Sequence, residues 1–394
     1  MPFDLGALRA QTPGLQHGTH LLACGSALMP QVVVDAITDH IQLEAEIGGY
    51  EAAAQRAEML DGVYDDVARL LGAKPQEIAL MENATAAWCQ VFYGLRLKAG
   101  DRVLTCQAEY AANYVAYLQR AKRDGIIIEV IPNDASGALD LAALEAMLAK
   151  PAALISITWI PTNGGLVNPA LGVGKLARKY GVPYLLDACQ AVGQMPVDVA
   201  ALGCDYLTAT GRKFLRGPRG TGFLYIREAM IAKTEPAVID HFAAPWVSEN
   251  RYELRPDARR FENWENAYAL RAGLGAAVRY ALEIGIEAIH TRAWALADRL
   301  RDGLRHIQGV TLHDAGDTHC AIVSFSMAAA PGDVVGYLRS NGITIGTSAA
   351  NSTLLDAKSR SLPTLLRAAP HYYNSEAEID ELLRLLKAYR QAAP

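Results

Sequence analysis

From residue 78 to residue 226 the chain alternates apolar, strand-length runs with longer helical stretches, and this alternation narrows the fold more than any other feature. Ile78–Met81 reads as a strand and Thr85–Leu97 as a helix. Arg102–Cys106 is a strand and Ala111–Arg123 a helix. Ile126–Ile131 is strand-like and Leu141–Ala149 helical. Ala153–Thr158 is a strand, Pro169–Tyr180 a helix, and a further strand from Tyr184 ends at Asp187. Tyr206–Ala209 and Gly222–Tyr225 add two more strands. Helices set between strands place an α-layer against a sheet, so the pattern predicts an α/β domain with a largely parallel sheet.

After residue 255 the pattern changes. Trp264–Ile284 and Glu287–His306 predict long helices. Cys320–Phe325 and Ile343–Ile345 predict short strands, and Ser375–Ala388 a closing helix. A chain of 394 residues fits one large domain and a smaller α+β one. The expected divisions are an N-terminal arm over 1–20, a large domain over 21–255 and a small C-terminal domain over 256–394 that includes a bridging helix.

Charge and composition exclude several classes. The formal net charge is −5, so no basic footprint points to nucleic acid. No run approaches the ~18 apolar residues of a membrane span. The first twenty residues lack a basic start followed by an apolar run, so no signal peptide is expected and the location is read as cytoplasmic. The six cysteines are scattered without paired spacing, as expected of reduced thiols. His17 and His20 have no third ligand nearby, and no metal is predicted.

Three segments carry chemistry. The first is Thr210-Gly211-Arg212-Lys213-Phe214-Leu215-Arg216-Gly217-Pro218-Arg219-Gly220, which follows a strand. A lysine among cations has a lowered pKa and a more nucleophilic amine, and the same cations suit a phosphate. Taken alone, the segment equally fits a basic surface loop shaped by Arg216 and Arg219. The second is Asp187, at the carboxyl end of a buried strand, where ligands of open α/β sheets bind. A buried carboxylate needs a cationic partner, and a protonated pyridine nitrogen is one. An N-cap for the next helix is the competing reading. The third is Glu82-Asn83-Ala84-Thr85-Ala86, where free N–H groups at a helix start seat a phosphate. Thr85 is also an ordinary N-cap residue. Gly172-Val173-Gly174-Lys175 lacks the remaining residues of a P-loop, and no dinucleotide fingerprint follows a strand, so a nucleotide enzyme has little support.

Asp187-x-x-Gln190 followed by Thr210-x-Arg212-Lys213 resembles the class V aminotransferase family of fold-type I pyridoxal 5'-phosphate (PLP) enzymes. That family includes cysteine desulfurases, isopenicillin N epimerase-like proteins and hercynylcysteine sulfoxide lyases. The resemblance implies a large domain with a mostly parallel seven-stranded sheet, a homodimer with active sites near the interface, and an amino-acid substrate. It implies that Lys213 carries PLP as a Schiff base and moves protons at Cα. Asp187 matches the partner of the ring nitrogen and Gln190 the donor to the phenolic oxygen. Ala84, Thr85, Thr210 and Arg212 match the phosphate cup. Tyr110, after Glu109, matches the residue that stacks on the ring, and Asn168-Pro169 follows a loop near the cofactor. Arg367, in Leu366-Arg367-Ala368 ahead of His371-Tyr372-Tyr373-Asn374, matches the substrate-carboxylate arginine. Glu44 to Tyr50 resembles the sulfoxide-lyase branch, so Tyr50 and Ser26 are carried over as substrate residues. Trp88 is read as a core tryptophan before a ring contact.

The chain departs from the desulfurase pattern in four places. Ile345 to Ser352 contains no cysteine where desulfurases carry their persulfide residue. Tyr110 replaces a histidine, and Arg212 replaces the histidine that often precedes the lysine. Phe261-Glu262-Asn263-Trp264-Glu265 replaces a Gly-Thr that reaches the partner's phosphate. The expected activity is therefore a carbon–sulfur lyase or an aminotransferase acting on a small or sulfur-containing amino acid. An epimerase, or a PLP-binding sensor without catalysis, is the alternative.

Overall fold

The structure, a computed structural model, describes residues 4–392; the first three residues of the expected arm and the last two of the chain lie outside that range. Its centre is a seven-stranded sheet. The strands are β1 (Ile78–Met81), β2 (Arg102–Cys106), β3 (Ile127–Ile131), β4 (Leu154–Thr158), β5 (Tyr184–Asp187), β6 (Tyr206–Thr210) and β7 (Gly222–Ile226). They lie in the order β1-β7-β6-β5-β4-β2-β3. β7 pairs antiparallel with both β1 and β6, and every other pairing is parallel. Strands β1, β4, β5, β6 and β7 are buried along their whole length, which is why they read as unbroken apolar runs.

Helices α1 (Gln31–Ile47), α2 (Ala57–Leu71), α3 (Ala84–Gly94), α4 (Ala111–Asp124), α5 (Ala170–Tyr180), α6 (Tyr268–Ile284), α7 (Ile286–Arg305) and α8 (Glu376–Ala392) supply most of the helical layers. α6 packs on α1 and α2, and its Ala276 and Ala277 lie against Val33. The sequence reading assigns no element to α1 or α2. A second, antiparallel sheet holds β8 (Val310–Leu312), β9 (Val323–Met327), β10 (Gly346–Ser348) and β11 (Leu365–Ala368) in the order β8-β9-β11-β10.

Two predicted elements move. The helix expected from Trp264 begins at Tyr268, because the Trp264 N–H is taken by Asp240 Oδ2 at 2.7 Å. The strand expected from Cys320 begins at Val323. The Cys320 and Ile322 carbonyls accept from the buried Arg301 guanidinium, and Ala321 N–H donates to Gln194 Oε1, so this backbone is committed elsewhere.

The arm is held by the C-terminal part of the chain. Thr19–His20 pairs parallel with Ile343–Thr344, and Arg9 pairs with Glu378 at 3.0 Å. Arg216, 1% exposed, fastens the arm to the loop that follows β6. Its guanidinium donates to Thr12 Oγ1 (2.8 Å), Leu28 O (2.7 Å) and the Tyr372 hydroxyl. It also lies 4.5 Å from the ring centroid of Tyr373 and 5.1 Å from that of Tyr372. Among the described residues no carboxylate pairs with it, and aromatic faces with three acceptors take that place.

Candidate active site

The site forms where the carboxyl ends of β5 and β6 meet the start of α3 and the second sheet. Ladder pairing sets Thr158, Asp187 and Thr208 side by side at the ends of β4, β5 and β6. Asp187 is buried. Its Oδ1 accepts from Cys189 N–H at 2.9 Å and its Oδ2 from Asn113 Nδ2 at 3.0 Å. Among the described residues no cation reaches ion-pair distance. Nearby, the Gln190 amide donates to Cys24 O at 3.1 Å and leaves Oε1 unpartnered, as is the buried Thr208 hydroxyl. A buried carboxylate without a cation, beside unsatisfied polar atoms, fits a ligand that brings a protonated nitrogen and a polar oxygen.

Lys213 follows β6 in a tight turn. Arg216 N–H closes the turn on Lys213 O (2.9 Å), and Ala27 N–H anchors Arg212 O (2.9 Å). Gly193, at φ +91, lets the chain after Asp187 pass directly against the backbone of Phe214 and Leu215; a Cβ there would collide with both. The Lys213 amine is half-buried and has no partner among the described residues. Burial pushes its pKa below the ordinary lysine range; Arg212 and Arg367 add to the drop, while Asp187 opposes it. Such an amine is the more readily neutral and nucleophilic.

The anion seat is equally local. Asn83 caps α3 by accepting from Ala86 N–H at 2.8 Å, which leaves the Ala84 and Thr85 N–H groups free at an eleven-residue helix start. Gly222 permits this approach, since a Cβ there would lie 2.9 Å from Ala84 N and 2.7 Å from Ala209 O. Thr210 pairs with Gly222 across the ladder. Arg212 donates to Gly25 O, and its charge is felt by Tyr110 and Arg367. Tyr110 is 37% exposed at the N-cap of α4. Arg367 sits on β11 and donates to Thr162 O (2.6 Å) and Thr162 Oγ1 (2.5 Å), with its buried Nε unpartnered. Ser26 ends a short helix from Ala23, half-buried. The cluster thus holds Arg212, Lys213 and Arg367 against Asp187, an excess of positive charge suited to a phosphate and a carboxylate.

Tyr50 stands apart from these groups. It is 75% exposed on the helix Gly49–Gln55, in a groove with Ile41, Trp264 and Tyr268. Trp88 is a core residue, with its ring 4.5 Å from Phe92 and 5.4 Å from Tyr117. Asn168 spends its amide on Thr158 O and Leu139 N–H. Glu262 forms a buried knot within the chain, accepting from Leu80 N–H, the Tyr64 hydroxyl and Arg271. The sequence reading gives no structural part to Asn113, Thr208 or Thr162.

His371 backs the lysine turn through Nε2 to Phe214 O at 2.7 Å. Burial, with Arg216 adding, lowers its pKa from 6.5 to about 3. The folded chain therefore keeps His371 neutral where the unfolded chain takes up a proton. This contribution to stability is full above about pH 6.5 and is lost as pH falls towards 3. Thermal melts of the parent and of His371→Gln across this window are expected to show the steeper acid loss in the parent. Parallel curves would remove His371 from that role.

The family model "Aminotransferase class-V" matches residues 19–382. The chain belongs to the class V aminotransferase family. Its PLP-dependent chemistry and α/β fold follow, and the chain is an enzyme of that family. A probable cysteine desulfurase of Methanothermobacter thermautotrophicus is 29% identical, with 95% of each chain covered. The apo cysteine desulfurase of Thermococcus onnurineus NA1 superposes with a TM-score of 0.93 at 26% identity, covering 100% of this chain and 99% of that one. The cystine C–S lyase C-DES, solved with its product cysteine persulfide, gives 0.86 at 25% identity, covering 95% and 99%. No helix among the described residues is long and apolar enough to cross a membrane.

Proposed function

We propose that this class V enzyme is a carbon–sulfur lyase that removes the Cα proton of a sulfur-containing amino acid and expels the β-sulfur. The observation that carries the reading is a pair of opposite charges, the Asp187 carboxylate at the end of β5 and the Lys213 amine just after β6, neither of which has an ion-pair partner among the described residues. PLP, when bound, supplies an electron sink that acidifies the substrate's Cα–H.

The chain's own groups divide the remaining work. Lys213 would hold the cofactor covalently, and its amine, when free, would take the Cα proton and return it to the departing sulfur. Asp187 keeps the ring nitrogen protonated, and Gln190 binds the phenolic oxygen. Ala84 and Thr85 N–H, the Thr85 and Thr210 hydroxyls and Arg212 hold the phosphate. Tyr110 covers the ring. Arg367 fixes the substrate carboxylate, with Ser26 beside it and Tyr50 reaching in from a partner subunit. The sum balances with water: R–S–CH2–CH(NH3+)–COO− and H2O give RSH, pyruvate and ammonium. The segment Gly346 to Thr353 carries no thiol and buries the Ser348 and Thr353 hydroxyls, which supports release of the sulfur product over its capture on the enzyme.

The test is product analysis with cysteine, cystine and cysteine S-conjugates. Pyruvate and ammonia in equal amounts support the lyase. Conversion to the pyridoxamine form without ammonia makes the enzyme an aminotransferase, the second reading. An epimerase would return the opposite enantiomer with neither product. Arg367→Ala is expected to raise KM for the amino acid about 10- to 100-fold while PLP stays bound. An unchanged KM would take Arg367 out of the substrate role.

We further infer a cytoplasmic homodimer divided at residues 20 and 255. The exposed Trp246, Tyr50 and Trp264 give it apolar surface, and six unpaired cysteines suit a reducing compartment. Light scattering at twice the chain mass is expected; the single-chain mass would exclude the dimer.

A further inference from the structure

Behind Asp187 lies a second buried carboxylate that the proposed reaction does not use. Glu109 is 3% exposed in the turn between β2 and α4. Its Oε1 accepts from Thr158 Oγ1 (2.5 Å), Tyr110 N–H (2.8 Å) and Asn113 Nδ2 (3.0 Å). Its Oε2 accepts from Thr105 Oγ1 (2.8 Å) and the Tyr117 hydroxyl (3.4 Å). No cation pairs with it among the described residues.

Asn113, 4% exposed on α4, is the hinge of this arrangement. Its amide nitrogen donates both to Glu109 and to Asp187 Oδ2 (3.0 Å). The Glu109 side chain therefore connects two of the candidate cofactor residues, Tyr110 and Asp187. It binds the backbone N–H of Tyr110 directly, and it fixes Asp187 through one shared amide. With the Cys106 thiol 3.9 Å from Oε2, six donors converge on this one carboxylate. A surplus of donors of this kind is the usual means of orienting a buried anion.

We propose that Glu109 is a positioning residue: through Asn113 it fixes the Asp187 carboxylate against the cofactor's ring nitrogen, and through the Tyr110 N–H it sets the ring face opposite. The proposal rests on the PLP reading of Lys213 and Asp187. Burial pushes the Glu109 carboxyl up, with the charge of Asp187 adding and the hydroxyl and amide donors pulling it down.

A double-mutant cycle with a spectroscopic readout tests it. PLP affinity and the visible absorption of bound PLP are measured for the parent, Glu109→Gln, Asn113→Ala, Asp187→Asn and the two doubles with Asp187→Asn. Borohydride trapping at Lys213 in the parent checks the underlying reading separately. The expected result is a shifted PLP band and about tenfold weaker PLP for Glu109→Gln and for Asn113→Ala. In the Asp187→Asn background Asn113→Ala is expected to add no further loss, while Glu109→Gln adds only the part that runs through the Tyr110 N–H. Asn113→Ala leaves Glu109 five of its donors, so it reports on the link even if Glu109→Gln fails to fold. A loss for Asn113→Ala that is additive with Asp187→Asn, or an Asn113→Ala protein with parental affinity and spectrum, would overturn the proposal while leaving the Lys213 assignment standing. A parent that traps no PLP at Lys213 would overturn both.

Discussion

Lys213→Ala is expected to lower turnover by at least about a thousandfold while the protein stays folded, because in the proposed reaction one amine both holds the cofactor and moves the Cα proton. The surroundings predict that folding tolerates the change. The Lys213 amine makes no hydrogen bond or ion pair among the described residues, and burial penalises its charge. Truncation therefore removes a strained charge and leaves no orphaned partner. The turn itself is closed by backbone bonds at Arg212 and Arg216 and backed by His371. An added primary amine is expected to restore part of the activity. A variant with parental turnover would show that another group does this chemistry.

Asp187→Asn is the second large effect. The substitution keeps the shape and removes the charge proposed to balance a protonated ring nitrogen. With the sink weakened, Cα deprotonation is expected to slow by about 10²- to 10³-fold. An asparagine offers one acceptor, so the Cys189 N–H can be kept while the contact from Asn113 is lost or reversed. Bound PLP still reaches Lys213, so a solvent-exchange measurement at Cα separates slow deprotonation from loss of cofactor. Unaltered exchange and turnover would sink the role given to Asp187.

The parts of this candidate site that sequence makes legible share one property: their local pattern and their proposed role coincide. Asp187 stands at the end of an apolar run that is fully buried as β5, and Lys213 follows the next such run. Ala84 and Thr85 open a helix behind a capping Asn83. Glu109 is legible as a neighbour of Tyr110 but not as a buried anion. Its six donors come from β2, β4, α4 and the turn before α4, and no local pattern announces that convergence. Arg216 reads as one more cation in a basic loop, yet tertiary packing places it among tyrosines from the C-terminal segment. The misplaced starts at Trp264 and Cys320 have the same cause. Side chains distant in sequence, Asp240 and Arg301, take the backbone groups that a regular element would use. Tyr50 is named by resemblance alone, and within one chain it faces away from the other candidates.

The central claim is that Lys213 is the residue to which PLP is joined. The most direct measurement is borohydride reduction of the purified protein with PLP, followed by peptide mass mapping. A single pyridoxyl adduct on the peptide that contains Lys213, absent from Lys213→Ala, is the predicted result. An adduct on another lysine, or one that persists in Lys213→Ala, would contradict the account.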